Sequence, residues 1–542
     1  DSGRSWWDDR FYITGTAKAL DVPGEWFHDT ENGYLYLVAV DGVPPEPGAL
    51  HVKRRSYGLF GEDVSDLHIS GFRFFGCTFR FTDAERTVVE NCDIRFPACS
   101  TMIGETMPRG QRFNTPVTSV AGRDNVLKSL HVAYSSGSGI RVAGTGNRIE
   151  DCIVHDVCWS GTINFAGISV VPRGSDEAHS TVSRCTVYHA GNIGISYRGR
   201  NNVIEYNHVH HTGLACHDIA AIHTGSPNAA GSVAHHNWVH HSMGKAIRGD
   251  DQTRELTVRH NLVWNCDEGI IVKGDRNTVC HNTILGKDGH GALLIPTRRE
   301  PKKWWTKNEI LPVQNANSLF FNNYCEAVTY RHKPLPANKG IGDNITYGGR
   351  SPFAEVLVEG GAEALESGIP DARPREGSPL VDRGRVVEGL NDTYAGAAPD
   401  VGAYESGRPA WRAGARRAHP ADIVLPIEAE AARSWHVTGN RNGKPGASLP
   451  LPSNLHQAPL SPAAMEKLRA LYDECWTADE IDRRRQAIEN RTGHAEDSPE
   501  YKRHHAIVVE LHQQARERLI ERARNALTGE DLKQFNDIMD RR

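Results

Sequence analysis

The chain has 542 residues, a formal net charge of -5 and 39% hydrophobic residues. That length predicts two or three domains. The near balance of charge excludes a dedicated nucleic-acid binder, and no apolar run is long enough to span a bilayer. The sequence opens at Asp1 without a signal peptide, the start expected of a processed or trimmed chain. Its 11 cysteines are dispersed without CxxC pairs, which removes zinc-ribbon and thioredoxin readings.

In chain order, residues 1–60 read as an N-terminal β segment of strands and turns, including GEWFHDTENGYLYL from Gly24. Residues 61–350 carry a recurring phrase: GIRVAG at Gly139, GISVVP at Gly167, GISYRG at Gly194, AIHTGS at Ala221, AIRGDD at Ala246, GIIVKG at Gly269 and ALLIPT at Ala292. A small residue, then a β-branched or leucine residue, then alternation describes a short strand with one buried face. Self-similarity at this spacing marks a stacked repeat.

A second column follows each phrase: VENC at Val89, IEDC at Ile149, VSRC at Val182, IEYN at Ile204, then VAHHN, VRHN and VCHN. It ends in Cys92, Cys152 and Cys185, and later in Asn207, Asn237, Asn261 and Asn282. The cysteines read as a ladder of buried thiols acting as small hydrophobes. Asparagine tolerates a left-handed turn, and asparagines on successive coils can bond one another. Two or three short strands per repeat, with no 3.6-residue apolar period, predict a mainly β fold: the coils of a parallel β-helix. Residues 351–405 form a closing β segment, and 406–453, rich in Pro, Arg, Ala and Gly, a linker. Residues 454–542 form a helical module, with N-cap signals at Ser461-Pro462, Thr477 with Glu480, Ser498-Pro499 and Thr528 with Asp531.

Numbering the phrase from one to six, positions two and four point inward, and one, three and five face out. Position three runs Arg141, Ser169, Ser196, His223, Arg248, Ile271; position five runs Ala143, Val171, Arg198, Gly225, Asp250, Lys273. One outer face therefore gathers Arg198, His223, Arg248, Asp250 and Lys273, with His217 and Asp218 just before one strand and Asp251 and Glu268 at the edges. Gly225 leaves room beside Asp250. A grouping of acids and bases on an otherwise ordinary wall is a candidate site. In an extended frame Asp218 lies ~23 Å from Asp250 along the strand direction. The chain must therefore bend between Asp218 and Ala221, or Glu268 or Asp275 becomes the partner of Asp250.

The 27 histidines cluster in HVHH, VAHHNWVHH and VCHN, where they read as turn residues; no HExxH and no triad spacing is present, so no transition-metal site is expected. Calcium at Asp218, Asp250 or Asp251 is the metal that such carboxylates would take.

HDIAAIHTG from His217, followed by AIRGDDQT from Ala246, resembles a paired motif of secreted right-handed parallel β-helix glycosidases, with glycoside hydrolase family 141 the nearest. GEWFHDTENGYLYL resembles the segment preceding the coil in that group, and APDVGAYE the terminal phrase of many such proteins. The resemblance covers residues 20–405. It implies a pectate-lyase-like solenoid, a secreted or periplasmic location and a polysaccharide or oligosaccharide substrate. It also implies catalytic carboxylates at Asp218 and at Asp250 or Asp251. Arg248-Gly249 departs from the Tyr-Leu of the motif and suggests a sugar bearing carboxylate or sulfate. Three readings follow. A glycoside hydrolase would use the paired acids, with His217, His223, Arg248, Lys273, Arg198 and Glu268 holding substrate. A polysaccharide lyase would use Lys273 and Arg248, with calcium at the acids. A non-catalytic glycan-binding coil would use none of them.

Overall fold

The computed structural model describes residues 16–39, 42–46, 48–50, 52–98, 117–159, 165–216, 218–225, 229–250, 253–286, 289–296, 315–330, 340–348, 350–353, 356–357, 368–417, 462–475, 477, 480, 483 and 499–539. The chain divides into two compact units, Asp1–Ile423 and Val424–Arg542.

The first unit is a stack of coils. Three parallel sheets of 10, 11 and 11 strands run its length, each strand pairing with its equivalents one coil below and above. One coil illustrates the rest. A front strand (Ile193–Tyr197) turns into a short strand (Val203–Glu205), then into a side strand (His208–Thr212), and the next front strand (Ala220–Thr224) begins the coil above. The repeated phrase is the front strand, in register: Ile195 faces Ile222, Ile222 faces Ile247, and Ile247 faces Ile270. These isoleucines and the position-four residues Val142, Val170 and Tyr197 are buried in one continuous core. This is the expected parallel β-helix. The first coil strand begins at Tyr57, and an antiparallel hairpin of Trp26–Asp29 with Tyr34–Leu37 precedes it.

Two details differ from expectation. Position one faces in, not out: Ala221 and Ala246 are core residues beside Ile222 and Ile247. A Cβ on Gly139 would sit 2.5 Å from both the Gly167 carbonyl and a methyl of Val154. The small residue is therefore demanded by close packing at a corner. The left-handed backbone also falls one residue earlier than the ladder asparagines, at Tyr206, His236, His260 and His281, with φ of 50–53°. Each asparagine after them aims its amide into the coil, onto a carbonyl of another strand.

That ladder is continuous. Asn207, Asn237, Asn261, Asn282 and Asn323 each donate to the next side-chain oxygen at 2.8–3.0 Å, the last of them to Asn344. Cys185 continues the column downward, its N–H donating to Asn207 Oδ1 at 2.9 Å. Cys92, Cys152 and Cys185 are buried free thiols, as the repeat position implies. A second ladder went unread in the sequence: Asn125, Asn147, Ser180, Asn202, Ser232, Asn277 and Ser318 occupy the turn between front and short strands. Its signal is an Asn or Ser immediately before the first residue of each of these short strands.

Asn261 shows what the main ladder contributes. Its amide donates to Asn282 Oδ1 at 2.9 Å and to the Ala234 carbonyl at 3.0 Å, and its oxygen accepts from Asn237. Asn261→Ala leaves several buried groups unpaired, and we expect a loss of about 3–5 kcal/mol. A urea melt checks it; a loss below about 1 kcal/mol would mean that the ladder is not a stabilising element.

Outside the side sheet, Trp238, Leu262, Trp264, Leu285 and Tyr324 are covered by Tyr347 and by Phe353, Leu380, Val401 and Tyr404 from the closing segment. The chain continues past residue 405 along the coil. Trp411 stacks on Tyr404 with ring centroids 4.6 Å apart, and the Ala415 N–H donates to Thr186 Oγ1 at 2.9 Å. Residues 406–417, expected as the start of a linker, thus run as a packed strap, because Trp411 finds an aromatic floor there.

The second unit contains α1 (Pro462–Asp473), α2 (Pro499–Ala526) and α3 (Gly529–Met539). Leu468, Tyr472, Leu511, Leu519 and Phe535 form its core. Thr477 and Glu480 make the reciprocal capping bonds expected of their spacing, at 2.9 and 3.2 Å. No helix among the described residues is long and apolar enough to cross a membrane.

Candidate active site

The front sheet gathers the site because its register stacks unlike residues. His223 faces Arg248 and Thr224 faces Gly249 on adjacent strands. One strand on, Arg248 faces Ile271. Lys245, the residue before the AIRGDD phrase, pairs with Ala220 on one side and Glu268 on the other, so both Lys245 and Glu268 lie on this face. Sequence reasoning missed Lys245 because the repeat was numbered from Ala246. Its signal was the matching place of Glu268 immediately before GIIVKG.

Arg248 is the hub. Its Nη1 donates to Asp218 Oδ1 at 2.7 Å, and its Nη2 forms an ion pair with Asp250 Oδ2. Lys273 Nζ pairs with the other Asp250 oxygen. Lys245 Nζ lies 3.9 Å from Asp218 and 3.8 Å from Glu268. The sharp bend required before Ala221 is present: Asp218 and Asp250 grip one guanidinium, which puts their carboxylates within about 8 Å of each other by ordinary charged hydrogen-bond lengths. The expected alternative, Asp275, is not a partner for Asp250; its carboxylate accepts the Ala316 N–H at 3.0 Å and fastens a turn. Arg198 is exposed two coils from Asp250 in the same column. His217 and Asp251 lie outside the described residues.

Burial sorts these groups. The Asp250 side chain is only 11% exposed and that of Arg248 10%, whereas that of Asp218 is 67% exposed. Burial pushes the Asp218 carboxyl up, but the hydrogen bond and charge of Arg248, with the charge of Lys245, outweigh it and hold the group below the usual range. Burial opposes the charge on Arg248, yet Asp250 and Asp218 raise its pKa above the ordinary value. His223 is the exception. Burial first, then the positive charge of Arg248, pushes it down to about 4, so its imidazole is neutral. Gly225 keeps that ring clear: a Cβ there would come within 3.2 Å of His223 Cε1 and 3.8 Å of Asp250 Cβ. Two polar atoms on this face, Arg248 Nε and Glu268 Oε2, are buried without a hydrogen-bond partner.

The donor set bears on calcium. Arg248 stands between the two carboxylates, Lys273 meets the other Asp250 oxygen, and Lys245 approaches the Asp218 oxygen that Arg248 holds. Fixed guanidinium and ammonium groups thus fill the positions a calcium ion at Asp218 and Asp250 would need, and these residues do not fit that metal. The arrangement interleaves three cations, Lys245, Arg248 and Lys273, with three carboxylates, Asp218, Asp250 and Glu268, next to a neutral imidazole.

A family model described as a right-handed β-helix region matches residues 118–284. No curated protein matches the chain. Among solved structures, pectate lyase Pel9A is 13% identical over 59% of this chain and 88% of its own, with a TM-score of 0.37. A protein described as a glycoside hydrolase is 14% identical over 49% of this chain and 56% of its own, at 0.32. A PL6 alginate lyase in complex with a trisaccharide is 14% identical over 49% and 64%, at 0.27. With its three parallel sheets and a matched coil region, the chain is a right-handed parallel β-helix.

Proposed function

We propose that the front face is the active site of a carbohydrate-active enzyme that cleaves an acidic polysaccharide by β-elimination. The observation that carries this reading is the cation cluster of Arg248, Lys245 and Lys273 beside a neutral His223. Elimination from a uronate needs its carboxylate neutralised, so that the adjacent C–H becomes acidic, and a base with a free lone pair. Arg248 and Lys245 supply the charge, and the substrate carboxylate joins or displaces the exposed Asp218. His223 takes the proton from C5. The C4–O bond breaks, a C4–C5 double bond forms, and the Lys273 ammonium protonates the leaving oxygen. Such a substrate places the working compartment outside the cytoplasm, secreted or periplasmic.

A second reading, a glycoside hydrolase akin to family 141, draws on the proximity of Asp218 and Asp250. Their separation within about 8 Å falls among distances used by paired catalytic carboxylates. That mechanism needs one carboxyl protonated. Asp218, held below the usual range, is suited only to the role of base or nucleophile, which leaves Asp250 or Asp251 as acid.

A panel of polyuronates and neutral glycans separates the readings. Elimination yields unsaturated uronates that absorb in the near ultraviolet. New reducing ends without that absorbance would select the hydrolase, and neither product would select a non-catalytic glycan-binding coil. Under the lyase reading His223→Gln lowers kcat by about 10²-fold or more, with KM nearly unchanged. If Lys273→Met abolishes turnover while His223→Gln keeps it, the base is Lys273.

A further inference from the structure

On the outside of the side sheet, register builds a second column of rings. His155, Tyr188, His210, His240 and Trp264 occupy one position on successive strands. They stack nearly parallel, with centroids 4.7 Å apart for His155–Tyr188, 5.1 Å for Tyr188–His210, 4.7 Å for His210–His240 and 4.1 Å for His240–Trp264. The stack explains why aromatic rings share this column. It does not explain His208, two residues before His210 on the same strand, whose ring turns toward the stack.

His208 Nε2 lies 2.7 Å from His240 Nε2, and one nitrogen from each of His208, His210 and His240 lies within 4.8 Å of the others. We infer that His208, His210 and His240 form a binding site for one divalent transition-metal ion of the zinc class. Three imidazoles without a carboxylate are the donor set such borderline ions prefer, with a water as fourth ligand. Metal–nitrogen bonds of about 2.0–2.1 Å in a tetrahedron set the nitrogens roughly 3.3–3.4 Å apart. The His208–His240 pair therefore opens by about 0.6–0.7 Å, and the His210 and His240 rings, stacked 4° from parallel, turn out of their stack to aim their lone pairs at one ion.

The surroundings match a ligand set. The second nitrogens of two rings are already engaged: His210 Nδ1 with His211 Nδ1 and His240 Nδ1 with His241 Nδ1, both at 2.6 Å. Holding the far nitrogen is how outer groups orient a metal-binding imidazole.

The proton positions can be followed. Asn265 Nδ2 donates to His241 Nε2 at 2.8 Å, so the proton of neutral His241 is on Nδ1 and is donated to His240 Nδ1. His240 then carries its own proton on Nε2 and donates it to His208 Nε2. Metal binding at His240 Nε2 displaces that proton. The chain reverses: solvent takes up the displaced proton, His240 takes a proton on Nδ1 from His241, His241 regains one on Nε2 from solvent, and the Asn265 amide turns to accept it. No proton is lost in the balance, and the metal is held by lone pairs alone.

The site lies on the sheet beside the packed strap, on a different face from Arg248 and Asp250, and is independent of the reading of that face. It ties two adjacent coils, so occupancy stabilises the folded chain.

The test uses the full chain stripped with a chelator. Titration calorimetry with Zn²⁺ should show one saturable equivalent, and Co²⁺ should give the intense visible bands of a tetrahedral nitrogen site. Saturating Zn²⁺ should raise Tm by at least about 2 °C. His208→Gln, whose half-buried ring leaves the stack intact, and His210→Gln should each weaken Zn²⁺ binding ten-fold or more. His260→Gln, in the separate turn stack, should leave it unchanged; melting of each apo variant confirms that it is folded. No saturable equivalent in the parent, unchanged affinity in His208→Gln and His210→Gln, or a loss in His260→Gln instead would each overturn the assignment.

Discussion

Arg248→Ala should reduce kcat/KM on a polyuronate by about 10³-fold or more, the scale seen when a preorganised charge is removed from a developing anion. The guanidinium pairs with both Asp218 and Asp250, and it is nearly sealed from solvent. Removing it takes away the cation that would meet the uronate and one of the two cations paired with the buried Asp250. A broken buried pair typically costs about 3–5 kcal/mol; the surviving Lys273 contact puts the expected loss of stability near the lower end. Arg248→Lys separates the effects. It keeps the charge but cannot fork between two carboxylates, and it should recover stability better than turnover. Kinetics and thermal melts on both variants check this. Turnover within about three-fold of the parent in Arg248→Ala would refute any mechanism centred on this face.

Mild acid should unfold the coil. Burial and neighbouring cations or imidazoles push His131, His223 and His281 down to about 4, and His236 to about 3. His210, His240 and His260 are displaced in the same direction. In the unfolded chain each returns to about 6.5. Between those values the unfolded chain binds more protons than the folded one. Stability is therefore complete above pH 6.5 and falls as pH drops toward 4, where the folded-state groups themselves titrate. Each fully buried ring, such as His131 or His281, contributes a slope of about 1.4 kcal/mol per pH unit in that window. Several such rings together exceed the usual stability of a domain, about 5–15 kcal/mol. Circular dichroism between pH 7.5 and 4 should show a cooperative loss of β signal well above the range of carboxylate protonation. A melting temperature unchanged down to pH 4.5 would contradict the burial of these rings. If the metal site inferred at His208, His210 and His240 is real, Zn²⁺ should move the transition to lower pH, because metal and protons compete for the same lone pairs.

The front face shows how much of the site a linear reading could reach. Side chains alternate along a strand and equivalent residues stack between coils, so His223, Arg248, Asp250 and Lys273 could be assigned to one wall from the phrase alone. Lys245 was lost because a register numbered from the repeated phrase ignores the residue before it. The inward turn of Ala221 and Ala246 was lost for a related reason: two successive side chains point into the corner there, and strict alternation does not foresee a corner. The histidines divided in the same way. His236, His260 and His281 are the turn residues the sequence suggested, each in the left-handed region. His208, His210 and His240 sit on strands, where spacing along the chain says nothing about which ring meets which.

The sequence by itself determined the coil, its inward isoleucines, the asparagine ladder and the Thr477–Glu480 cap, because these depend on local periodicity and on short spacings at one turn; the caps expected at Ser461 and Ser498 lie outside the described residues. Only the tertiary structure decided that Asp218 folds back onto Arg248, that Arg248 and the lysines occupy the positions calcium would have taken, and that residues 406–417 pack as a strap. Those outcomes depend on a bend between Asp218 and Ala220, on the reach of long cationic side chains and on an aromatic floor built from several coils. None is a property of any single stretch of chain.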